Sequence, residues 1–128
     1  KSGKLKDLVK NNTLLVDGSH NEDGSIALNN YLNSLNCKKH IIIGMMANKE
    51  HEKYISYFNN ISSLTTVDIP NQPNSISGKE LKEKFNNIKN INYSDSIENA
   101  LKNIKPEQGD LILITGSLYL AGEVLNQN

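Results

Sequence analysis

The run Asp17-Gly18-Ser19-His20-Asn21 sets a carboxylate, a hydroxyl, an imidazole and a carboxamide around one glycine. It follows the apolar stretch Leu14-Leu15-Val16, so Asp17 falls at the end of a buried strand and Gly18 permits a tight turn. His20 and Asn21 then occupy the space before a helix N-terminus. A carboxylate there can accept hydrogen bonds from ribose hydroxyls or orient a metal-bound phosphate through water, while the helix end offers N–H groups to an anion. The same residues also suit a plainer role. Asp17 and Asn21 can cap the turn, Asp23-Gly24-Ser25 can supply further caps, and His20 can be a surface residue.

Two other polar turns follow apolar runs. Lys49, in Gly44-Met45-Met46-Ala47-Asn48-Lys49-Glu50, can hold a carboxylate or phosphate, or stand solvated beside a helix start. Ser117, after Gly116, can donate a hydrogen bond at a helix N-terminus or only cap that helix. No His or Asp adjoins it in sequence, so the spacing does not indicate a nucleophilic serine. The chain contains neither G-x-x-x-x-G-K-[ST] nor G-x-G-x-x-G, since Gly78-Lys79 is followed by Glu80 and lacks the upstream glycine. His20, His40 and His51 lack metal-ligand spacing. With no phosphate cradle of its own, the chain is not expected to be a self-sufficient ATPase.

These turns need a scaffold, and the apolar runs supply it. Strands are expected at Thr13–Asp17, His40–Gly44, Leu64–Ile69, Ile91–Tyr93 and Asp110–Gly116, with a short edge strand around Leu5 to Val9. Their Ile, Leu and Val are continuous and not alternating, as in parallel strands covered on both faces. Helical periodicity falls between them. Ser25–Leu35 places Ile26, Leu28, Tyr31, Leu32 and Leu35 largely on one face, and Glu50–Asn59, Ser77–Phe85, Ser96–Ile104 and Leu118–Leu125 follow. Ser77 and Glu80 have capping-box spacing. The alternation predicts an α/β domain, a Rossmann-like open, mostly parallel sheet with helices on both faces. In such sheets ligands gather at the carboxyl ends of the strands, where the three polar turns lie.

The 128 residues suffice for one domain and one core. Aromatics are 5% of the chain, so that core must be aliphatic. The 14 basic and 14 acidic side chains cancel, which leaves no basic surplus for a nucleic acid backbone. Every basic residue is lysine, so any side-chain cation holding an anion is a point charge and not a bidentate fork. A single cysteine, Cys37, excludes an internal disulfide and a thiolate metal cluster. No apolar run approaches the roughly 20 residues that cross a bilayer, and Lys1-Ser2-Gly3-Lys4 leads into no signal-peptide core. A cytoplasmic location without membrane contact is expected. The start at Lys1 gives the further expectation of a fragment of a longer chain, with residues 1–12 as its lead-in segment.

Taken together, the turns resemble the C-terminal domain of folylpolyglutamate synthase/dihydrofolate synthase, in the Mur ligase superfamily. Leu14 to Asn21 is similar to that family's apolar strand followed by D-G-A-H-N, Gly44 to Glu50 to its G-x-x-x-D-K-D loop, and Asp110 to Val124 to its closing D-x-x-L-x-T-G-S-L-Y-L-x-G-E-V. The resemblance implies ATP-dependent amide formation with Mg²⁺. ATP phosphorylates the carboxylate of dihydropteroate or a folate, and the amine of L-glutamate displaces the phosphate. It also implies that the P-loop and most metal ligands lie in an N-terminal domain of the same polypeptide, so that this domain alone is inactive. Carried over by position, Asp17 contacts the nucleotide, with Asn21 beside it. His20 sits near glutamate or the acyl phosphate as the catalytic group, and Lys49 and Ser117 help bind the glutamate carboxylates. Lys4 stands where the family has the arginine of a P-G-R-L segment near the nucleotide. Lys4 for Arg loses a bidentate contact. Asn48 and Glu50 replace the two aspartates of D-K-D, and Glu22 stands where a proline often follows H-N.

Two other readings of the sequence compete. A peptidoglycan-precursor Mur ligase shares the architecture but typically not the G-S-L-Y-L-x-G-E-V ending. A non-catalytic Rossmann-like binding module would need only the fold. The sequence leaves open whether dihydrofolate is made, polyglutamate tails are extended, or both.

Overall fold

The computed structural model describes residues 5, 8, 12–85 and 88–127. Five strands form one sheet: β1 (Thr13–Val16), β2 (Lys39–Ile43), β3 (Ser63–Val67), β4 (Ile91–Ser94) and β5 (Leu111–Thr115). All pairings are parallel, in the order β1-β5-β2-β3-β4. Five helices connect or follow them: α1 (Glu22–Asn33), α2 (His51–Ser56), α3 (Gly78–Glu83), α4 (Ile97–Asn103) and α5 (Leu118–Gln127). Each expected strand after residue 12 is present, within two residues of its expected ends. Of the edge strand expected around Leu5 to Val9, only Leu5 and Leu8 are described, and neither is extended. Leu5 and Leu8 are helical, and Leu5 is fully buried in the core.

The strand order explains the apolar runs. β5 lies between β1 and β2, so Ile112, Leu113 and Ile114 have strands on either side and helices above and below. Right-handed crossovers from β1 to β4 run in one direction and keep α1, α2 and α3 on one face. Leu28, Leu32, Tyr54, Ile55 and Leu81 pack there on Ile41, Ile43, Leu64 and Leu113. The return from β4 to β5 reverses direction and puts α4 on the other face with α5. There Ile97, Leu101, Leu120 and Val124 pack on Ile42, Val67, Ile112 and Ile114, joined by Leu5. Each such buried aliphatic side chain contributes about 1.5–3 kcal/mol through water exclusion.

Helix starts are set by short side chains. Asn21 caps α1, its Oδ1 accepting from Gly24 N at 3.0 Å, so the helix begins three residues before the expected Ser25. Asp23-Gly24-Ser25 lies inside the first turn and not ahead of it. Ser77 and Ser96 cap α3 and α4 by accepting from Glu80 N and Asn99 N. The Glu80 carboxylate accepts from the Ser77 hydroxyl, a variation on the expected capping box. The predicted apolar face of α1 is only half right. Leu28 and Leu32 are buried, whereas Ile26 and Tyr31 are 37% and 51% exposed.

Hydrogen bonds tie both ends of the sheet. Beyond β3, Asp68 accepts from Gly78 N (2.7 Å) and from the Tyr93 hydroxyl (2.6 Å), fastening α3 to β4. That bond to Asp68 pushes the Tyr93 phenol up to about 12, with burial adding to it. At the amino end, Asp110 accepts from His40 Nε2 (3.1 Å) and Glu107 N (2.9 Å). Burial pushes the Asp110 carboxyl up, but the bonds from His40 and Glu107 outweigh it and hold the group below its ordinary value.

Gly116 ends β5 at φ +112, where a Cβ would lie 2.5 Å from the Gly44 carbonyl oxygen. Replacing Gly116 with alanine should therefore lower unfolding stability by about 2–4 kcal/mol, from backbone strain and the clash together, read as a fall in the urea midpoint. Asp110 gives a pH dependence. Its folded pKa lies below the unfolded value of about 3.9, so its ionised form stabilises the fold above that pH. The contribution is lost as pH falls through the lower folded pKa. Urea midpoints of wild type and Asp110→Asn should differ at pH 6 and draw together as the pH falls below about 4.

Candidate active-site cleft

The connections leave β5 on one face and its neighbours β1 and β2 on the other, which opens a crevice at their carboxyl ends. The turn after β1 is closed by Asp17. Its Oδ1 accepts from Ser19 N at 2.7 Å, and Asp17 N donates to Ile114 O at 2.9 Å. Ser19 O in turn accepts from Gly116 N at 3.0 Å, tying this turn to the one after β5. Gly18 is required by close approach, since a Cβ there would meet Leu118 Cδ2 at 2.5 Å.

The turns after β1, β2 and β5 converge on a cleft of about 550 Å³. His20, Lys49 and Ser117 all line it, with Asn48, Leu118 and Tyr119. The three residues assigned by resemblance to glutamate are thus brought together, although up to 97 positions separate them in sequence (117 − 20 = 97). Asn21 lines a smaller adjoining recess of about 180 Å³ with His20, Lys49 and Lys53. Asp17 stands beneath the turn and outside both linings. Lys4 lies outside the described residues.

Side-chain chemistry separates these residues. Nδ1 of His20 lies 3.3 Å from Gly18 O, which can only accept, so that nitrogen carries the proton. Nε2 has no protein partner among the described residues. Ser117 is buried. Its Oγ accepts from Tyr119 N at 3.0 Å as the cap of α5, and its own proton has no acceptor among the described residues. Capping and donation are therefore compatible at Ser117, because the hydroxyl has both a lone pair and a proton. Lys49 is half-buried and its ammonium is unpaired among the described residues. The Asn21 carboxamide oxygen is engaged as the α1 cap, which leaves its NH₂ group.

Several supports were not legible in the sequence. Pro73 and Asn74 form one wall, brought there because Ala47 N donates to Asn74 O (2.8 Å) and Ile76 N to Met45 O (3.1 Å). His51 Nε2 donates to Met46 O at 2.9 Å and fixes the loop that carries Lys49. Beneath the cleft, the Tyr54 hydroxyl pairs with Thr115 Oγ1 at 2.7 Å. Burial pushes its phenol up, the Thr115 bond opposes this, and the nearby Asp17 charge adds to it. Glu22 accepts from the Tyr57 hydroxyl and lies 3.7 Å from Lys53, joining α1 to α2. The only advance signal for any of these was position after a strand. Among the described residues no three His, Cys, Asp or Glu cluster to hold a metal ion, and no helix is long and apolar enough to cross a membrane.

Comparison with known proteins places this cleft in context. The profile of the family described as Mur ligase, glutamate ligase domain, matches residues 5–118. Compared with curated proteins, the chain has no significant match. Among solved structures, Escherichia coli FolC in complex with DHPP and ADP superposes with a TM-score of 0.76 at 19% identity, covering 87% of this chain and 28% of that one. Mycobacterium tuberculosis folylpolyglutamate synthase, complexed with ADP and AMPPCP, gives 0.77 at 17%, covering 88% and 29%. The folylpolyglutamate synthase of Thermotoga maritima gives 0.73 at 22%, covering 86% and 26%. The chain therefore spans under a third of the length of these proteins, and identities of this size speak for the fold alone. The family match extends over most of the chain, from the buried Leu5 to Leu118 at the lip of the cleft, and by it the chain belongs to the Mur ligase family, as a glutamate ligase domain.

Proposed function

We propose that this domain supplies the glutamate side of an ATP-dependent ligase that joins L-glutamate to dihydropteroate or a folate through an acyl phosphate. The observation that carries the reading is the convergence of an unpaired ammonium, an imidazole and a serine hydroxyl on one cleft in a glutamate ligase domain. A dicarboxylate amino acid needs a cation and a hydrogen-bond donor. Lys49 provides the first and Ser117 the second. The glutamate ammonium must lose a proton before its nitrogen can attack. His20, with Nδ1 protonated toward Gly18 O, has Nε2 available to accept it. The amine nitrogen then attacks the acyl carbon, and phosphate leaves with the C–O bond electrons.

Asp17 serves the nucleotide in this reading. One carboxylate oxygen builds the turn and the other has no partner among the described residues, so it can accept from a ribose hydroxyl. The Asn21 NH₂ group, at the adjoining recess, is a further donor for the nucleotide. ATP brings the phosphoryl group, and Mg²⁺ when bound would neutralise charge on it. The P-loop and most of the metal ligands belong, in this reading, to an N-terminal domain of the same polypeptide. Catalysis of this type rests on positioning and on stabilising phosphoryl charge.

For the full-length protein, ADP release should depend on both L-glutamate and a pteroate or folate. Lys49→Ala should raise the KM for glutamate about 10–100-fold with a smaller change in the KM for ATP, the size expected for losing one charge-assisted contact. A glutamate KM unchanged in steady-state assays would rule out the lysine's role. Asp17→Ala should lower kcat/KM for ATP about 10-fold or more, from a lost hydrogen bond and a loosened turn. Full ligase activity in that variant would contradict the assignment.

A further inference from the structure

The amino end of the sheet, opposite the cleft, holds a second constellation. His40, the second residue of β2, lies beside Ser63 at the start of β3, their Cα atoms paired in the ladder. Ser63 Oγ lies 2.8 Å from His40 Nδ1, and Asp110 Oδ2 lies 3.1 Å from His40 Nε2. The ionised Asp110 can only accept, so Nε2 carries a proton, and in the neutral form of the ring Nδ1 presents a lone pair. Ser63 must then donate. The chain of contacts is hydroxyl to imidazole to carboxylate, with Asp110 itself held by Glu107 N at 2.9 Å.

The surroundings of this relay are unlike a core. Nearer the carboxyl end, the same sheet face carries Ile42, Val67 and Ile114 beneath α4 and α5. Here it carries His40, Ser63, Thr65 and Ser94, which line a cavity of about 460 Å³ together with Lys105. α4 ends at Asn103, and beyond it Ile104 and Lys105 line the cavity, so no helix covers this floor. Thr65 and Ser94 are only 3% and 6% exposed, yet neither hydroxyl has a protein partner among the described residues. No buried polar side-chain atom is sealed away unsatisfied, so these hydroxyls open onto the cavity. Polar groups set on a sheet's inner face without partners cost stability unless something satisfies them. Asp110 lies behind His40 and outside the lining, which is where the orienting member of such a relay belongs.

The geometry points to a second catalytic site, in which Ser63 is a nucleophile for acyl transfer from small, uncharged esters with an alcohol or phenol leaving group. Ser63 Oγ attacks the ester carbonyl carbon while its proton passes to His40 Nδ1. Asp110, as a positioning residue, keeps the ring oriented and stabilises the imidazolium. The C–O bond to the leaving group breaks, and the leaving oxygen takes the proton from Nδ1. Water then attacks the acyl-Ser63 carbonyl, gives its proton to Nδ1, and Ser63 leaves with that proton restored. The Thr65 hydroxyl, two residues along the same strand, the Ser94 hydroxyl and the Lys105 ammonium are donors that line the same cavity and are available to the developing oxyanion. No carboxylate lines the cavity to oppose that charge.

The test uses the full-length protein with an alkyl fluorophosphonate and with p-nitrophenyl acetate. One equivalent of phosphonylation should map to Ser63 by tandem mass spectrometry. Ester turnover should fall about 100-fold or more in Ser63→Ala and in His40→Gln, the range for losing a nucleophile or its general base. Near-UV circular dichroism checks that each variant remains folded. A folded wild type whose Ser63 resists the fluorophosphonate overturns the proposal, whatever the variants do. So does ester turnover unchanged in folded Ser63→Ala. Ser63→Ala that only lowers Tm, with no label on wild-type Ser63, assigns the relay to holding strand ends together. The ligase reading is untouched by any of these outcomes.

Discussion

β5 hydrogen-bonds to β1 on one side and to β2 on the other, and the rest of the molecule depends on that insertion. It encloses β5, with all five residues buried. It also sets a turn that leaves on one face between two turns that leave on the other. The crevice, the approach of Gly116 to Gly44, and the bond from Gly116 N to Ser19 O all follow from it. A parallel strand can be inserted this way only if the chain returns across the opposite face, which is what α4 does.

The two ends of the sheet manage polarity differently. At the carboxyl end, backbone groups satisfy one another through the turns, which leaves the Lys49 ammonium, His20 Nε2 and the Ser117 proton without protein partners among the described residues. At the amino end, His40, Ser63 and Asp110 satisfy one another, while the nearby Thr65 and Ser94 hydroxyls stay open to the cavity. Asp68, although it stands at the carboxyl edge, has both carboxylate oxygens engaged. Unengaged polar groups in a cleft distinguish a binding position from a structural one more clearly than residue type does.

The loops around the cleft are held as firmly as the strands. The turn carrying Lys49 is fastened by His51 through Met46 O, and the wall formed by Pro73 and Asn74 is fastened by backbone bonds to Met45 and Ala47. Tyr54 and Thr115 brace the floor from below. Leu118 and Tyr119, at 66% and 54% exposed, stand at the lip, where water-facing apolar surface is available for covering by another surface or a ring.

By itself the sequence determined the five sheet strands, the burial of β2, β3 and β5, and the three polar turns, while the edge strands β1 and β4 are more open than their apolar runs led one to expect. These rest on local features, namely continuous aliphatic runs, glycines and capping residues. It also determined the similarity of those turns to a ligase family. It misjudged Leu5 and Leu8, whose apolar character fits a strand or a helix equally well, and Tyr31, whose helical phase matches the core although it is 51% exposed. Tertiary structure alone decided that Pro73 and Asn74 reach the cleft, and that Ser63, His40 and Asp110 meet. Those facts depend on strand order and register, which join residues far apart in the chain. No local pattern encodes which strand will lie beside which.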